Sequence, residues 1–213
     1  MINFRKAGLL IVTLVIPALV FVFLKLFATN HYDLPRYHPQ LDSSGRVMVN
    51  YEDTLFYMVP GIHLKNVSGN PVTENFGKGK ISVVGYLPEN CDETCKIVLD
   101  QVARVFALKE NIPNLTLFTI AEKWASKNSG YPDGFNSDNW PVITGSREEV
   151  NHALELLKFE TNVPKAKTNS IESKLVLIDV NGHIRGYYNL ADVEETDRLM
   201  AEIKILDYEK KLD

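Results

Sequence analysis

Two cysteines, the only ones in this chain of 213 residues, stand close together in the segment Cys91-Asp-Glu-Thr-Cys95. They follow a strand-like apolar run, residues 81–86, and they precede a stretch whose apolar residues recur at helical spacing. A helix N-terminus presents free amide N–H groups and the positive end of the helix dipole, so a thiolate there is stabilised and its pKa falls below about 8.5. The pair is therefore a candidate site for redox or metal chemistry.

The spacing of the two thiols suits three roles. Side chains four residues apart lie on one face of a first helical turn, so Cys91 and Cys95 could close a structural disulfide if their Cα atoms came within about 7 Å. Closing so short a loop stabilises a fold little, however. The same sulfurs could exchange disulfides with another protein. They could also hold Cu(I), a soft ion that prefers thiolate ligands.

Charges beside the thiols oppose the effect of the helix N-terminus. Asp92 and Glu93 place negative charge next to both sulfurs and would raise the pKa of each thiol. We therefore expect a mildly activated pair, in which the more exposed Cys91 attacks and Cys95 resolves the mixed disulfide. In that role the chain would be a thiol–disulfide oxidoreductase.

The N-terminus has the pattern of a membrane anchor, which we assign to residues 1–28. Residues 7–24 form an uncharged apolar run preceded by Arg5 and Lys6. At about 1.5 Å per residue this run nearly spans a hydrocarbon core of about 30 Å. The positive-inside rule then keeps the N-terminus in the cytoplasm and places the rest on the periplasmic or extracytoplasmic side. The alternative is a cleaved signal peptide, whose apolar core is usually shorter, about 7–15 residues.

Composition supports one ordinary domain with an appendage. The chain is 45% hydrophobic and 23% charged, with a net charge of −4. It has no basic patch interleaved with aromatic residues, so nucleic acid is not expected as a partner. Residues 29–59, which contain Pro35, Pro39 and Gly45, read as a linker and lead-in. Residues 60–213 are expected to form the folded domain.

The domain follows an α/β pattern. Its predicted elements, in chain order, are a hairpin (62–73), a strand (81–86), a helix from Cys91, a strand (115–120), a helix with a capping box from Ser146 to Glu149, a hairpin with an Asn-Gly turn (175–188) and a last amphipathic helix. This order predicts a thioredoxin-like fold, in which a central mixed sheet is flanked by helices and parallel strands are joined by right-handed crossovers.

Three segments resemble the Sco/SenC proteins. They are the strand and Cys-x-x-x-Cys segment from Phe76 to Cys95, the segment Trp140-Pro-Val-Ile-Thr-Gly145, and the hairpin from Leu175 to Tyr188. The resemblance covers residues 62–206, and the order and spacing of the motifs carry it. It implies a thioredoxin fold that faces the periplasm or intermembrane space. It also implies a role in assembling the copper A centre of cytochrome c oxidase, by delivering copper or by reducing the oxidase cysteines.

The resemblance further implies a copper site of two cysteines and one histidine, and that histidine is missing. Its expected position is near Ile171. His183 is in the turn of the C-terminal hairpin, which in this fold lies at the sheet end opposite the thiols, about 20 Å away. The acidic motif expected after the second strand is replaced by Thr119-Ile-Ala-Glu-Lys123. Two-coordinate Cu(I) on Cys91 and Cys95 is still available, whereas Cu(II) should bind weakly.

We therefore predict a membrane-anchored, Sco-like thiol–disulfide assembly factor that acts in maturation of the copper A site, with an oxidase subunit or another thiol protein as its partner. One alternative is a Cu(I)-binding chaperone with an incomplete ligand set. Another is a non-catalytic thioredoxin-fold interaction module with a structural disulfide. His31 and His38 are expected to be solvated linker residues. His63 is expected to be a sheet residue and His152 a surface residue.

Overall fold

The computed structural model describes residues 4–27, 34–51, 53–87, 93–121, 140–159, 174–189 and 192–210. The chain divides into two compact units, Met1–Asp33 and Leu34–Asp213. The first unit contains helix α1 (Phe4–Phe27), whose apolar side chains from Ile11 to Phe23 are exposed. Among the described residues no helix combines the length and the apolarity needed to cross a bilayer. The membrane anchor therefore stays a prediction.

The larger unit is built on a seven-stranded sheet, with a separate two-stranded ribbon near its start. The ribbon strands are β1 (Val49–Asn50) and β2 (Asp53–Thr54), and the sheet strands are β3 (Ile62–Asn66), β4 (Pro71–Glu74), β5 (Ile81–Leu87), β6 (Leu115–Ala121), β7 (Val142–Thr144), β8 (Lys174–Ile178) and β9 (Ile184–Asn189). The helices are α2 (Glu93–Ala107), followed by a 3₁₀ turn (Leu108–Glu110), α3 (Arg147–Leu156) and α4 (Val193–Lys210).

The sheet is mixed, as the sequence predicts. Its strands lie in the order β4-β3-β7-β6-β5-β8-β9. The central strands β5, β6 and β7 are parallel. The outer pairs β3–β4, β3–β7, β5–β8 and β8–β9 are antiparallel. Parallel neighbours require crossover connections, and α2 supplies the one between β5 and β6.

Alternating residues of the central strands bury two separate cores. Val83 and Leu117 face the core that α2 and α4 cover, whereas their chain neighbours Val84 and Phe118 face the core that α3 covers. Successive side chains of a strand point to opposite faces, so a sheet with helices on both sides needs apolar residues at every position of its central strands. The runs at 81–84 and 115–121 satisfy that requirement except at Ser82, Thr116 and Thr119.

Two local signals are realised as predicted. The Ser146 hydroxyl accepts from the Glu149 amide (3.2 Å), and the Glu149 carboxylate accepts from the Ser146 amide (2.7 Å), which completes the capping box of α3. Gly182 has a φ of +91° in the turn between β8 and β9, a conformation that glycine adopts without steric cost. Both features depend on residues only a few positions apart.

The segment that we predicted to be a linker and lead-in is described from Leu34, and from there it belongs to the larger unit. We call residues 34–59, apart from position 52, the strap. The Tyr37 amide donates to the Ile184 carbonyl (2.9 Å), and the Val59 amide donates to the Gly182 carbonyl (2.9 Å). One end of the strap is thus bonded to β9, the outermost strand on that side of the sheet, and the other end is bonded to the turn that precedes β9.

Candidate thiol site

The thiol segment lies between the central strand β5 and helix α2. β5 ends at Leu87 and α2 begins at Glu93, so the backbone of Cys95 lies in the first helical turn. Cys91 falls in the range 88–92, outside the described residues. The predicted strand and helix are both present. The pairing of the two thiols stays a prediction.

The elements around α2 define what we call the thiol edge of the sheet: the ends of β5 and β6 and the beginning of β8. Gly85 is paired with Thr119 of β6 on one side and with Leu175 of β8 on the other. Leu87 and Ala121 end their two parallel strands side by side. In open α/β sheets reactive groups gather at the carboxyl ends of parallel strands, and the first turn of α2 follows such an end here.

Gly85 allows close packing at the thiol edge. A Cβ atom at this position would lie 2.8 Å from Leu175 Cδ2 and 3.7 Å from Thr119 Oγ1. The shorter distance is below van der Waals contact, so a side chain here would force the end of the Leu175 side chain to shift. Glycine therefore lets β8 and its side chains approach the strand that leads into the thiol segment.

An aromatic contact between β6 and α2 helps to position the helix. The fully buried Trp140 donates from Nε1 to Thr119 Oγ1 (3.0 Å). Its ring stacks on that of Phe106 in α2, with centroids 5.4 Å apart. From the sequence, Trp140 contributed only to the resemblance, and this role was not predicted. A tryptophan directly before a short buried strand was the available signal, because a buried indole N–H needs a partner.

Helix α4 is fastened to β9 beside the same edge. Tyr188, which is paired with Leu175, donates its phenol proton to Glu202 (2.5 Å). The Arg198 guanidinium lies over the Tyr188 ring, 4.4 Å from its centroid. Burial raises the pKa of the Tyr188 phenol, and its hydrogen bond to the Glu202 carboxylate raises that pKa further. The phenol therefore stays protonated and acts as a structural donor.

The opposite end of β5 and β8 carries a buried ionic cluster, which we call the hairpin edge. Arg185 Nη1 donates to Asp179 Oδ2 (3.0 Å), and both side chains are 3% exposed. Asp179 Oδ1 accepts from the amides of Asn181 and His183 (2.9 Å each). The same arginine donates to the carbonyl of Leu34 (2.6 Å) and to that of Pro35 (3.2 Å). These hydrogen bonds join the hairpin turn and the start of the strap to the buried Asp179–Arg185 pair, so their role is structural.

His31 lies outside the described residues, and the structure places the other four histidines on different elements. Ile178 pairs with Ser82 at the start of β5, so the turn that holds His183 lies at the end of β5 opposite α2, as predicted. His63 lies in β3, with Nδ1 2.9 Å from Thr73 Oγ1. His152 is exposed on α3. These positions agree with the sequence analysis.

The prediction for His38 is wrong, because this residue is not a solvated linker residue. Its Nε2 lies 2.8 Å from the Tyr187 hydroxyl, which in turn donates to the Leu157 carbonyl (3.0 Å). Burial lowers the pKa of His38, and the charge of Lys158 lowers it further. The strap holds this imidazole against β9, a contact between residues 149 positions apart that local sequence does not reveal.

A three-ligand metal site is not formed by the described side chains: none of their His, Cys, Asp and Glu residues group in threes or more. The thiol of Cys91 and the position near Ile171 are outside the described ranges. The segment 160–173 contains no histidine in any case. The donor chemistry that the sequence offers at this edge is two thiolates, which suits Cu(I) and does not suit Cu(II).

Comparison with solved structures identifies the fold. No protein-family model matches the chain, and no curated protein matches its sequence. BsSco, a member of the Sco family of cytochrome c oxidase assembly proteins in which a disulfide switch was identified, is 19% identical over 71% of this chain and 94% of its own, with a TM-score of 0.51. A SCO1/SenC family lipoprotein from Bacillus anthracis str. Ames is 15% identical over 70% and 95%, with a TM-score of 0.52.

A third match comes from outside that family. A putative protein disulfide isomerase from Bacteroides thetaiotaomicron is 16% identical over 70% of this chain and 87% of its own, with a TM-score of 0.52. At these identities the matches show a shared fold. This chain has a thioredoxin-like α/β fold, with a central mixed sheet and helices on both faces, and structures of Sco-family proteins are among those that share it.

Proposed function

We propose that this protein is a Sco-like thiol–disulfide assembly factor in which Cys91 and Cys95 form the exchanging pair. The observation that carries the proposal is the position of Cys95, in the first turn of the helix that follows the central strand of a thioredoxin-like sheet. Backbone amides without helical partners converge in such a turn, and the helix dipole favours an anion there. The segment resemblance to Sco/SenC proteins supports the same assignment.

The exchange transfers two electrons from the protein to its client. The Cys91 thiolate attacks one sulfur of a client disulfide, the client S–S bond breaks, and the first client sulfur leaves as a thiol. Cys95 then attacks Cys91 in the mixed disulfide, and the second client sulfur leaves. The client gains two electrons and two protons, whereas Cys91 and Cys95 end as a disulfide. A second dithiol must reduce that disulfide before another turnover.

The proposed client is a cysteine pair of an oxidase subunit, in maturation of the copper A site, or that of another thiol protein. We also propose that the N-terminal segment attaches the protein to a membrane and that the thiol domain lies on the periplasmic or extracytoplasmic side. The run at 7–24 and the preceding Arg5 and Lys6 support this topology.

Cu(I) is the metal that the same two sulfurs would accept as cargo. Linear dithiolate coordination needs no third ligand, and His38 and His63 are bonded to other groups, while His183 lies at the opposite end of β5. Cys91 and Cys95 would therefore hold Cu(I) alone. This binding accompanies the exchange proposal, because the thiols must be reduced for either.

The exchange proposal is tested with the reduced full-length protein in detergent and a peptide that carries one disulfide. Release of peptide thiols is followed by maleimide labelling. The parent should reduce the peptide, Cys95→Ser should accumulate a mixed disulfide, and Cys91→Ser should do neither. Ser44→Ala, in an exposed turn, is the control and should behave like the parent. A Cys91–Cys95 reduction potential below about −300 mV would instead identify an inert structural bridge.

Copper binding is tested by Cu(I) titration in competition with bathocuproine. A one-to-one complex that is lost in Cys91→Ser and Cys95→Ser, and kept in His38→Ala and His183→Ala, is the expected result. Loss of the complex in either histidine variant would show a third ligand and would contradict coordination by two thiolates alone.

A further inference from the structure

The strap carries a small antiparallel meander, residues 39–56, that projects apolar side chains into solvent. Pro39 bridges Phe56 and Leu41 bridges Val47. Val49 pairs with Thr54 across the β1–β2 ribbon. The meander therefore consists of three short extended segments joined by two turns. The first segment is bridged to both of the others, and the meander is separate from the seven-stranded sheet.

One face of this meander is apolar and uncovered. Val47 and Val49 alternate along one strand, and Leu41 stands directly opposite Val47, so these side chains share a face. Tyr51 follows in the turn and is 96% exposed, with a φ of +48° that is uncommon for a residue with a Cβ atom. We call Leu41, Val47, Val49 and Tyr51 the apolar stripe. All four are exposed.

The meander is held in place at its base. Arg185 is buried and bonds the carbonyls of Leu34 and Pro35, at the point where the strap begins. The Gln40 amide donates to Leu55 (2.8 Å), and the Tyr57 amide donates to His38 (2.9 Å). These bonds continue from the strap into the meander, so the stripe has a defined position on the domain.

We infer that the apolar stripe docks onto the lipid surface to which the N-terminal segment attaches; this rests on the membrane attachment under Proposed function. Seven Cα–Cα steps join Phe27, the end of α1, to Leu34, and they can span at most about 25 Å. A short covalent tether thus joins a helix with exposed apolar side chains to the base of an exposed apolar stripe. A tyrosine at the tip suits a bilayer interface, where its ring is buried and its hydroxyl stays hydrated.

The charges beside the stripe favour apolar docking over headgroup attraction. Arg46 and Asp42, which lie in the turn between Leu41 and Val47, form an ion pair with each other (3.2 Å). That pair is locally neutral, and the other charged residues of the meander, Glu52 and Asp53, are acidic, so the meander offers no surplus of positive charge to an anionic headgroup. Docking should therefore occur on neutral phosphatidylcholine and should change little with salt, because buried apolar area drives it.

The test uses the full chain in phosphatidylcholine vesicles whose acyl chains carry bromine, a quencher of indole fluorescence. In Tyr51→Trp the added emission should fall by roughly half, because interfacial side chains enter about 5–10 Å into the headgroup and acyl boundary. The matched control is Tyr208→Trp, at an exposed tyrosine of α4, and its added emission should not change. Adding Leu41→Ser and Val49→Ser to Tyr51→Trp should abolish the quenching.

Flotation of the same vesicles separates this inference from membrane attachment. Protein that floats without excess quenching in Tyr51→Trp overturns the docking of the stripe and leaves attachment intact. Equal quenching in Tyr51→Trp and Tyr208→Trp also overturns it, since contact would then be nonspecific. Protein that does not float overturns both attachment and docking.

Discussion

The thiol edge and the hairpin edge lie at opposite ends of β5 and β8, and they are held by different forces. At the thiol edge the contact that positions α2 is neutral: an indole donates to a threonine hydroxyl and stacks on a phenylalanine. At the hairpin edge a carboxylate and a guanidinium are buried together, and the guanidinium also bonds two backbone carbonyls of the strap. The contact to α2 is therefore neutral, whereas the contact that holds the start of the strap is made by buried charges.

Because the two edges are held differently, they should matter for different properties, namely the stability of the fold and the rate of thiol exchange. Removing one partner of a buried ion pair destabilises the fold strongly, because the remaining charged group is then buried without a partner and without solvent. A neutral aromatic contact costs less to disturb, and here it is made by Phe106, in the last turn of the helix whose first turn contains Cys95. Substitutions at the hairpin edge should therefore weaken the fold without changing thiol exchange. Substitutions at the thiol edge should change the exchange rate at a smaller cost in stability.

The largest expected effect comes from Arg185→Met. The Asp179 carboxylate would be left buried without its guanidinium, and the strap would lose two hydrogen bonds, so the free energy of unfolding should fall by about 3–5 kcal/mol. Urea denaturation measures this change. The control Arg104→Met breaks an exposed pair with Asp197 and should cost less than about 1 kcal/mol. Equal losses in both variants would contradict a structural role for the buried cluster.

The second-largest effect is expected from a substitution at the thiol edge. Trp140→Phe removes the indole N–H and part of the buried ring volume, so it should destabilise the fold by about 1–3 kcal/mol. It should also slow peptide disulfide reduction, which Arg185→Met should not do. Thr119→Val removes the partner hydroxyl and should act in the same direction. A rate unchanged in both variants would mean that this bond does not position α2 for exchange.

A smaller effect is expected at the start of α3, which follows the end of β7. Ser146→Ala removes the hydroxyl that accepts from the Glu149 amide, and the loss of such a cap costs about 1 kcal/mol. Thermal or urea unfolding measures it. Ser68→Ala, in the exposed turn between β3 and β4, is the matched control and should leave stability unchanged. A similar loss in both variants would argue against the cap.

The smallest expected effect is a dependence of the unfolding free energy on pH, which arises from His38 in the strap. Burial lowers the pKa of His38 below its ordinary value of 6.5, so the unfolded chain binds a proton there more readily than the folded protein. The stability that neutral His38 contributes is complete above 6.5 and falls as the pH drops below that value towards the folded pKa. His38→Gln, which can still donate to Tyr187, should flatten this slope in unfolding free energy. Identical slopes in the two proteins would contradict the assignment.

Local sequence was sufficient for the elements themselves. The capping box of α3 connects Ser146 and Glu149, three positions apart. The Asn-Gly turn, the alternating strands and the helix after the cysteines likewise depend on near neighbours, and all of them are present. The place of His183 was predicted from the thioredoxin-like layout, in which this turn lies at the sheet end opposite the thiols, and the pairing of Ile178 with Ser82 agrees with it.

Interactions between distant segments were not predictable in the same way. Arg185 reaches Leu34 across 151 positions, and His38 reaches Tyr187 across 149. A lone arginine in a strand or a histidine in a proline-containing segment has many solvated alternatives, and its sequence neighbours do not distinguish among them. The strap therefore read as a linker, although its described residues are bonded to β9.

The sequence by itself determined the strand and the helix on either side of position 91, the mixed sheet and the lack of histidine in residues 160–173, because periodicity, turns and composition are local properties. The tertiary structure alone decided that the strap closes over β9, that Trp140 holds α2, and that the four residues of the apolar stripe lie together in solvent. Those outcomes depend on which distant groups compete best for burial and for hydrogen-bond partners, and only the folded chain resolves that competition.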